Sequence, residues 1–172
     1  MLDFNTDAVS EPSMAKPDPI EGAASMDEPK SIMIETRYGT YEVERDKIVS
    51  FPKGLIGFGS LLDYAILNMP HEGTERFKLL QSVDEPGIGF YVVPVGLENS
   101  GFEPEDIARA AEQYEFDLKD LAILLIVTAR KNEASVELTA NLRAPLLVDT
   151  ENCVAYQHVL SDDKYPLRHK LN

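Results

Sequence analysis

The sequence predicts a mainly β fold with minor α: a compact, mostly antiparallel β-barrel or sandwich in a single domain, with one or two short helices. Three observations predict it. Short runs with period-two apolar alternation recur between turn-forming residues. One apolar stretch suits a strand buried on both faces, and only one segment has the start signals and spacing of an amphipathic helix. A chain of 172 residues fits one domain, which can bury roughly two-thirds of its unfolded surface without a disulfide or a metal.

The elements follow in order. Residues 1–30 hold Pro12, Pro17, Pro19 and Pro29 and seven acids against two lysines, with no sustained periodicity. Such a segment buries too little apolar surface to offset its ordering entropy, so a disordered acidic tail is expected there, ahead of one β domain over 31–172. Ile32, Ile34 and Thr36 then alternate with Met33, Glu35 and Arg37, Gly39 makes a turn, and Tyr41 and Val43 alternate with Glu42 and Glu44. That is a hairpin signal. Further strands are expected over 64–68, 77–83 and 88–95, the last two joined by the turn residues Asp84-Glu85-Pro86-Gly87.

Pro104 suits a first helical position, Glu105 and Asp106 complement the positive helix end, and Ile107, Ala111 and Tyr114 share one face. A helix is expected there. Residues 122–128 are apolar at nearly every position and read as a central strand. Alternation returns over 134–139, and a final strand is expected over 154–160, with Cys153 beside it in the same strand as a buried, inert thiol.

Sixteen basic against thirty acidic residues give a net charge of −14, nine of those charges falling beyond the tail. Nucleic-acid affinity rests on cations that displace counterions, so direct binding to DNA or RNA is not expected. Basic protein partners are favoured, although acidity also serves solubility alone. The longest apolar run, 121–127, is far too short to span a membrane. No basic-then-apolar leader opens the sequence, and one cysteine cannot form an internal disulfide. These features read as a cytoplasmic protein.

Enzyme signatures fail one by one. His71-Glu72-Gly73-Thr74-Glu75 lacks the second histidine of a zinc-protease helix, and the glycines at 54, 57 and 59 match neither phosphate-binding pattern. His158 reads as a packed, hydrogen-bonded residue, and His169 lies between Arg168 and Lys170, which disfavour its protonated form. Asp162 and Asp163 fall short of the six to eight oxygens calcium takes. No cofactor, metal or catalytic residue is assigned.

Four stretches together resemble the FliW family of flagellar assembly factors, over about 31–172. They are Phe51-Pro52-Lys53-Gly54-Leu55-Ile56-Gly57-Phe58; Leu80-Gln81-Ser82-Val83-Asp84-Glu85-Pro86; Ala140-Asn141-Leu142-Arg143-Ala144-Pro145-Leu146, similar to the family's Asn-Leu-Lys-Ala-Pro-Ile stretch with arginine where lysine is usual; and Tyr165-Pro166-Leu167-Arg168-His169-Lys170-Leu171. The resemblance implies a cytoplasmic, non-enzymatic monomer that binds flagellin and also binds CsrA, a translational repressor with basic RNA-binding surfaces. Competition between the two would couple flagellin synthesis to flagellum assembly. Two rivals stand beside it: a flagellin-binding chaperone without a translational role, and a carboxylate-based hydrolase. Acids in or beside turns are the candidate contact residues: Asp84, Glu85, Glu103, Glu105, Asp106, Asp162 and Asp163. Phe51, Leu55, Ile56, Phe58, Tyr165 and Leu167 have two readings, as core anchors or as an exposed apolar patch.

Overall fold

The computed structural model describes residues 29–70, 73–99, 101–131 and 135–171. Most of the tail expected over 1–30 therefore lies outside the described residues, as do His71, Glu72 and Ala134.

Alternation decides the first element. β1 (Ser31–Thr36) and β2 (Gly39–Glu44) pair antiparallel in full register, with Ile34 and Val43 buried and Met33 turned outward. Gly39 takes φ of 120° at the turn, a conformation open to glycine and costly to other residues. This hairpin forms a sheet of its own.

The remaining strands are β3 (Ile48–Ser50), β4 (Asp63–Asn68), β5 (Lys78–Ser82), β6 (Gly89–Val95), β7 (Leu121–Lys131), β8 (Val136–Ala140), β9 (Leu146–Asp149), β10 (Val154–Gln157) and β11 (His169–Lys170). They form one sheet in the order β11-β8-β7-β6-β5-β4-β3-β10-β9, and β9 pairs again with β7. Seven strands thereby close a barrel, and closure removes the edges that an open sheet would expose. Pairing is antiparallel throughout except between β10 and β3. β7 does two jobs because it is long. Its first half pairs β6 and β9 to close the barrel, and its second half pairs β8 beyond it.

Period-two alternation sorts the apolar residues into layers. Leu80, Val92, Leu124, Leu146 and Val148 point inward and pack with Val49, Phe51, Tyr64 and Ala155. Their neighbours Val93, Ile123, Leu125, Val127 and Leu147 point outward and are covered by α1 (Pro104–Glu112) through Ile107 and Ala110. Ala65, Leu67 and Leu79 also point outward, and the hairpin covers them with Ile34 and Val43. The barrel thus has one inner core and two covered outer faces.

Several expectations shift. The short strands β3, β9 and β11 were not predicted, and Tyr114 falls two residues past the end of α1. The last long strand stops at Gln157 rather than 160, because the next amides turn to a loop: His158 N donates to Pro145 O and Leu160 N to Arg143 O. Cys153 is not in a strand and is not fully buried. It occupies a turn with φ of 51°, and its thiol donates to Asp46 O at 3.2 Å. Val136, at the start of β8, is exposed because β8 runs beyond the barrel there.

Candidate functional site

Segments far apart in sequence meet at the N-terminal end of α1. Pro104 occupies the first turn, and Glu105 and Asp106 place carboxylates where the helix dipole is positive. The Glu103 side chain makes no capping bond; instead the Tyr165 hydroxyl takes the Glu103 amide hydrogen at 3.0 Å and donates to Asp106 Oδ2 at 2.7 Å. Tyr165 is only 2% exposed, with its ring 5.2 Å from that of Phe102. A buried phenol therefore pins the helix start to the C-terminal segment.

Lys164 completes the node. Its Nζ lies 2.8 Å from Glu103 Oε2, 2.8 Å from Asp106 Oδ2 and 3.4 Å from Asp162 Oδ2. The hydrogen bonds to Asp106 and then Glu103 raise the ammonium above its ordinary range. In return, Lys164 and then the Tyr165 hydroxyl hold Asp106 below the usual carboxylate value. Asp162 is lowered chiefly by the Lys164 backbone N–H, which donates to its Oδ1 at 2.9 Å. Beside the node, a cleft of about 390 Å³ is lined by Asp106, Arg109, Gln113, His158, Leu160 and Asp162. His158 bonds the Tyr114 hydroxyl through Nδ1 at 3.1 Å, and burial lowers its imidazole from the usual range. The Tyr114 ring in turn stacks on Tyr156 with centroids 4.2 Å apart.

Three of the seven acids singled out from sequence, Glu103, Asp106 and Asp162, thus converge on one lysine. Asp163 instead meets Arg143 at 3.1 Å, and Glu105 stands exposed on the helix. Asp84 and Glu85 do not join them. They sit exposed in the β5–β6 turn, at the other end of β6 from the segment leading to α1. Sequence reasoning missed Lys164 and Arg143. The one available signal was a lone lysine directly after two aspartates.

The apolar alternatives resolve residue by residue. Phe51 and Leu55 are buried, and Phe58 packs edge-on to Phe90 at 5.2 Å, so these three anchor the loop. Ile56 and Leu167 are 63% and 64% exposed. Gly54 explains the loop's tightness: its φ is 62°, and a Cβ there would lie 2.6 Å from Gly59 Cα. Gln81, from the second stretch, is buried and sends Nε2 toward Ile88 O at 2.8 Å, with Ser82 O, Glu85 O and Pro86 O close by. It organises the β5–β6 turn. The third and fourth stretches lock together: Arg143 Nε donates to Tyr165 O at 2.8 Å and Leu142 N to Pro166 O at 3.0 Å.

Among the described residues, no group of three or more His, Cys, Asp and Glu is placed to hold a metal ion, and no helix is long and apolar enough to cross a membrane. The fold and the node define an acidic β-barrel whose helix start and C-terminal segment form one charged surface unit. The family model described as FliW protein matches residues 32–171, and the chain belongs to the FliW family. It is 33% identical to a flagellar assembly factor FliW of Syntrophus aciditrophicus (strain SB) over 137 residues, covering 79% of this chain and 84% of that protein. Against the FliW of Desulfitobacterium hafniense (strain DSM 10664 / DCB-2) identity is 34% over 149 residues, covering 79% and 88%. A crystal structure of the flagellar assembly factor FliW superposes with a TM-score of 0.64 at 27% identity, covering 80% of this chain and 95% of that one.

Proposed function

We propose that this chain is a cytoplasmic, non-enzymatic and monomeric flagellar assembly factor that binds flagellin and antagonises a CsrA-type translational repressor, with residues 31–172 as the binding domain. The observation that carries the reading is membership of the FliW family across nearly the whole described chain. The surface supports it. Glu105, Glu112 and Glu115 stand exposed along and just beyond α1, and Asp162 and Asp163 lie exposed at the other side of the node. A net charge of −14 gives a field that attracts a basic RNA-binding protein and speeds its encounter.

The neutralised node has a different task from its exposed neighbours. Asp106 is engaged by Lys164 and Tyr165, so it fixes the helix start. The carboxylate of Glu105, with those of Asp84 and Glu85 at the far turn, stands open and leads the contact candidates; Asp162 and Asp163 are exposed too but are engaged by Lys164 and Arg143.

A pull-down from motile cells tests the partners. Recovery of both CsrA and flagellin supports the proposal, flagellin alone reduces it to a chaperone, and recovery of neither overturns it. For the purified pair, the association rate with CsrA falls as the Debye length shrinks from about 10 Å at 0.1 M salt to about 3 Å at 1 M. A rate unchanged across that range removes the electrostatic part and leaves an apolar contact.

A further inference from the structure

The outer face of α1 is left uncovered. The helix buries Ile107, Ala110 and Ala111 against the barrel. On its other side runs a shallow groove of about 820 Å³, whose lining includes Glu105, Arg109, Glu112, Glu115, Phe116 and Leu118. Helical spacing accounts for it. Residues 105, 109 and 112 follow one another at about one turn each, so they share a face, and the chain just past the helix adds the other three.

The charges of this lining are unbalanced. Arg109 leans toward Asp106, with 3.4 Å between their charged groups. Glu105, Glu112 and Glu115 are exposed, and none of the three has an ion pair among the described residues. Two apolar side chains stand beside them. Leu118 is 45% exposed. Phe116 is half-buried, with its ring 5.9 Å from that of Tyr114 and 5.8 Å from that of Tyr156, which holds it in place at the groove.

The backbone sets the junction. Phe116 N donates to Ala111 O at 3.0 Å and Glu115 N to Glu112 O at 3.1 Å, the pair of bonds that ends a helix through a left-handed residue. That residue is Glu115, with φ of 59°. Glycine suits such a position, and a side chain there carries a steric cost. A carboxylate thus stands beside Phe116 where it lowers stability.

We propose that this groove docks an arginine-bearing apolar segment of a partner protein. Guanidinium groups meet the Phe116 ring and the carboxylates of Glu105, Glu112 and Glu115, and an aliphatic side chain packs on Leu118. Charge complementarity selects the occupant. A nucleic acid or an acidic peptide is repelled by three open carboxylates, and a purely apolar segment leaves them unpaired. Arginine meets both demands, because its planar guanidinium stacks on aromatic faces and grips carboxylates as a fork. The partner's identity rests on the reading above, a basic repressor; the groove adds the face that receives it and the side chains it selects.

A synthetic peptide tests the groove without either partner. The probe is a helix-forming peptide of about 14 residues with leucine and arginine at helical spacing, alongside lysine and glutamate counterparts. Each is titrated into the isotope-labelled full chain at about 0.15 M salt. Amide shifts are expected to cluster over 105–118, with the lysine peptide binding several-fold more weakly and the glutamate peptide not at all. Glu105→Gln with Glu112→Gln lowers the affinity about fivefold, and Leu118→Ser does the same. Asp84→Asn with Glu85→Gln removes as much charge at the far turn and changes it by less than about twofold. Glu115→Gly weakens binding about twofold while raising the melting temperature by about 3 °C, through relief of the left-handed side chain. Equal losses from the two double variants would reduce the binding to net charge and overturn the groove. Equal affinity for the arginine and lysine peptides overturns the choice of arginine. A Glu115→Gly chain that melts higher and binds as tightly removes Glu115 from the site. Absence of shifts over 105–118 in a chain that still recovers CsrA or flagellin from cells overturns the groove and leaves the function standing. Shifts there with neither partner recovered keep the groove and overturn the function.

Discussion

The two covers on the barrel differ in how they are held. On the helix side, twelve buried residues among those described join α1 to β6, β7, β9 and the C-terminal segment, and the Lys164 node ties the helix start. On the hairpin side only five buried residues join β1 and β2 to β4 and β5. No node of that kind is seen there among the described residues; the Tyr38–Tyr91 pair at the tip is a polar tie to the barrel, and Arg45 closes the base of the hairpin itself by donating to Pro29 O. The difference teaches that acidic residues of similar appearance in sequence do different work. Asp106 is spent inside the molecule, holding a helix to the chain end. Glu105, one residue earlier, is open to solvent.

The comparison breaks or sharpens under substitution, the largest effect being expected in the helix-side core. Ile107 is fully buried beneath α1, so Ile107→Ala removes packed methyl groups and leaves a cavity. The expected cost is about 3 kcal/mol, a fall of roughly 10 °C in melting temperature. Ile32, half-buried under the hairpin, is the comparator: Ile32→Ala is expected to cost about 1 kcal/mol. Equal losses in thermal melts would erase the distinction between the two covers.

The node comes next. Because Lys164 and Tyr165 hold Asp106 below its ordinary 3.8, the ionised form is the one the fold favours. Its contribution is fully present above pH 3.8 and is lost as pH falls through the lower folded value. Asp106→Asn therefore lowers the melting temperature at neutral pH, by less than Ile107→Ala does, and its deficit against the native chain narrows in acid. A deficit that stays constant from neutral pH to acid would mean that the node contributes shape rather than charge.

The smallest effect belongs to His158. Burial holds its imidazole below the ordinary 6.5, so the unfolded chain takes up the proton first. Stability is then full above pH 6.5 and declines as pH drops from there toward the folded value. His158→Gln, which does not titrate, flattens that part of the melting-temperature profile while costing a little stability through the Tyr114 contact. An unchanged slope between pH 7 and 5, measured by melts in matched buffers, would assign the pH response to other groups.

Local pattern was legible wherever a residue's neighbours in sequence decide its environment. Period-two alternation placed β1, β2, β5 and β6 within a residue or two, since a strand face is set by its own spacing. Pro104 and the acids after it placed the start of α1. β3, β9 and β11 escaped because they are two to four residues long, too short for a period to show. Cys153 was misread because apolar composition cannot reveal a left-handed turn; that turn exists to bring β10 alongside both β9 and β3.

By itself, then, the sequence determined a mainly β chain with one helix, an acidic balance, four family-like stretches and a set of turn acids. These depend on composition and on spacings of a few residues. Only the tertiary structure decided that the sheet closes through β7 and β9, and that the last two stretches interlock. It alone divided the acids into those engaged by Lys164 or Arg143 and those left open. Each of these joins residues tens of positions apart, as Glu103 joins Lys164 and Tyr165. Contacts of that range are fixed by strand order and barrel closure, which no local periodicity encodes.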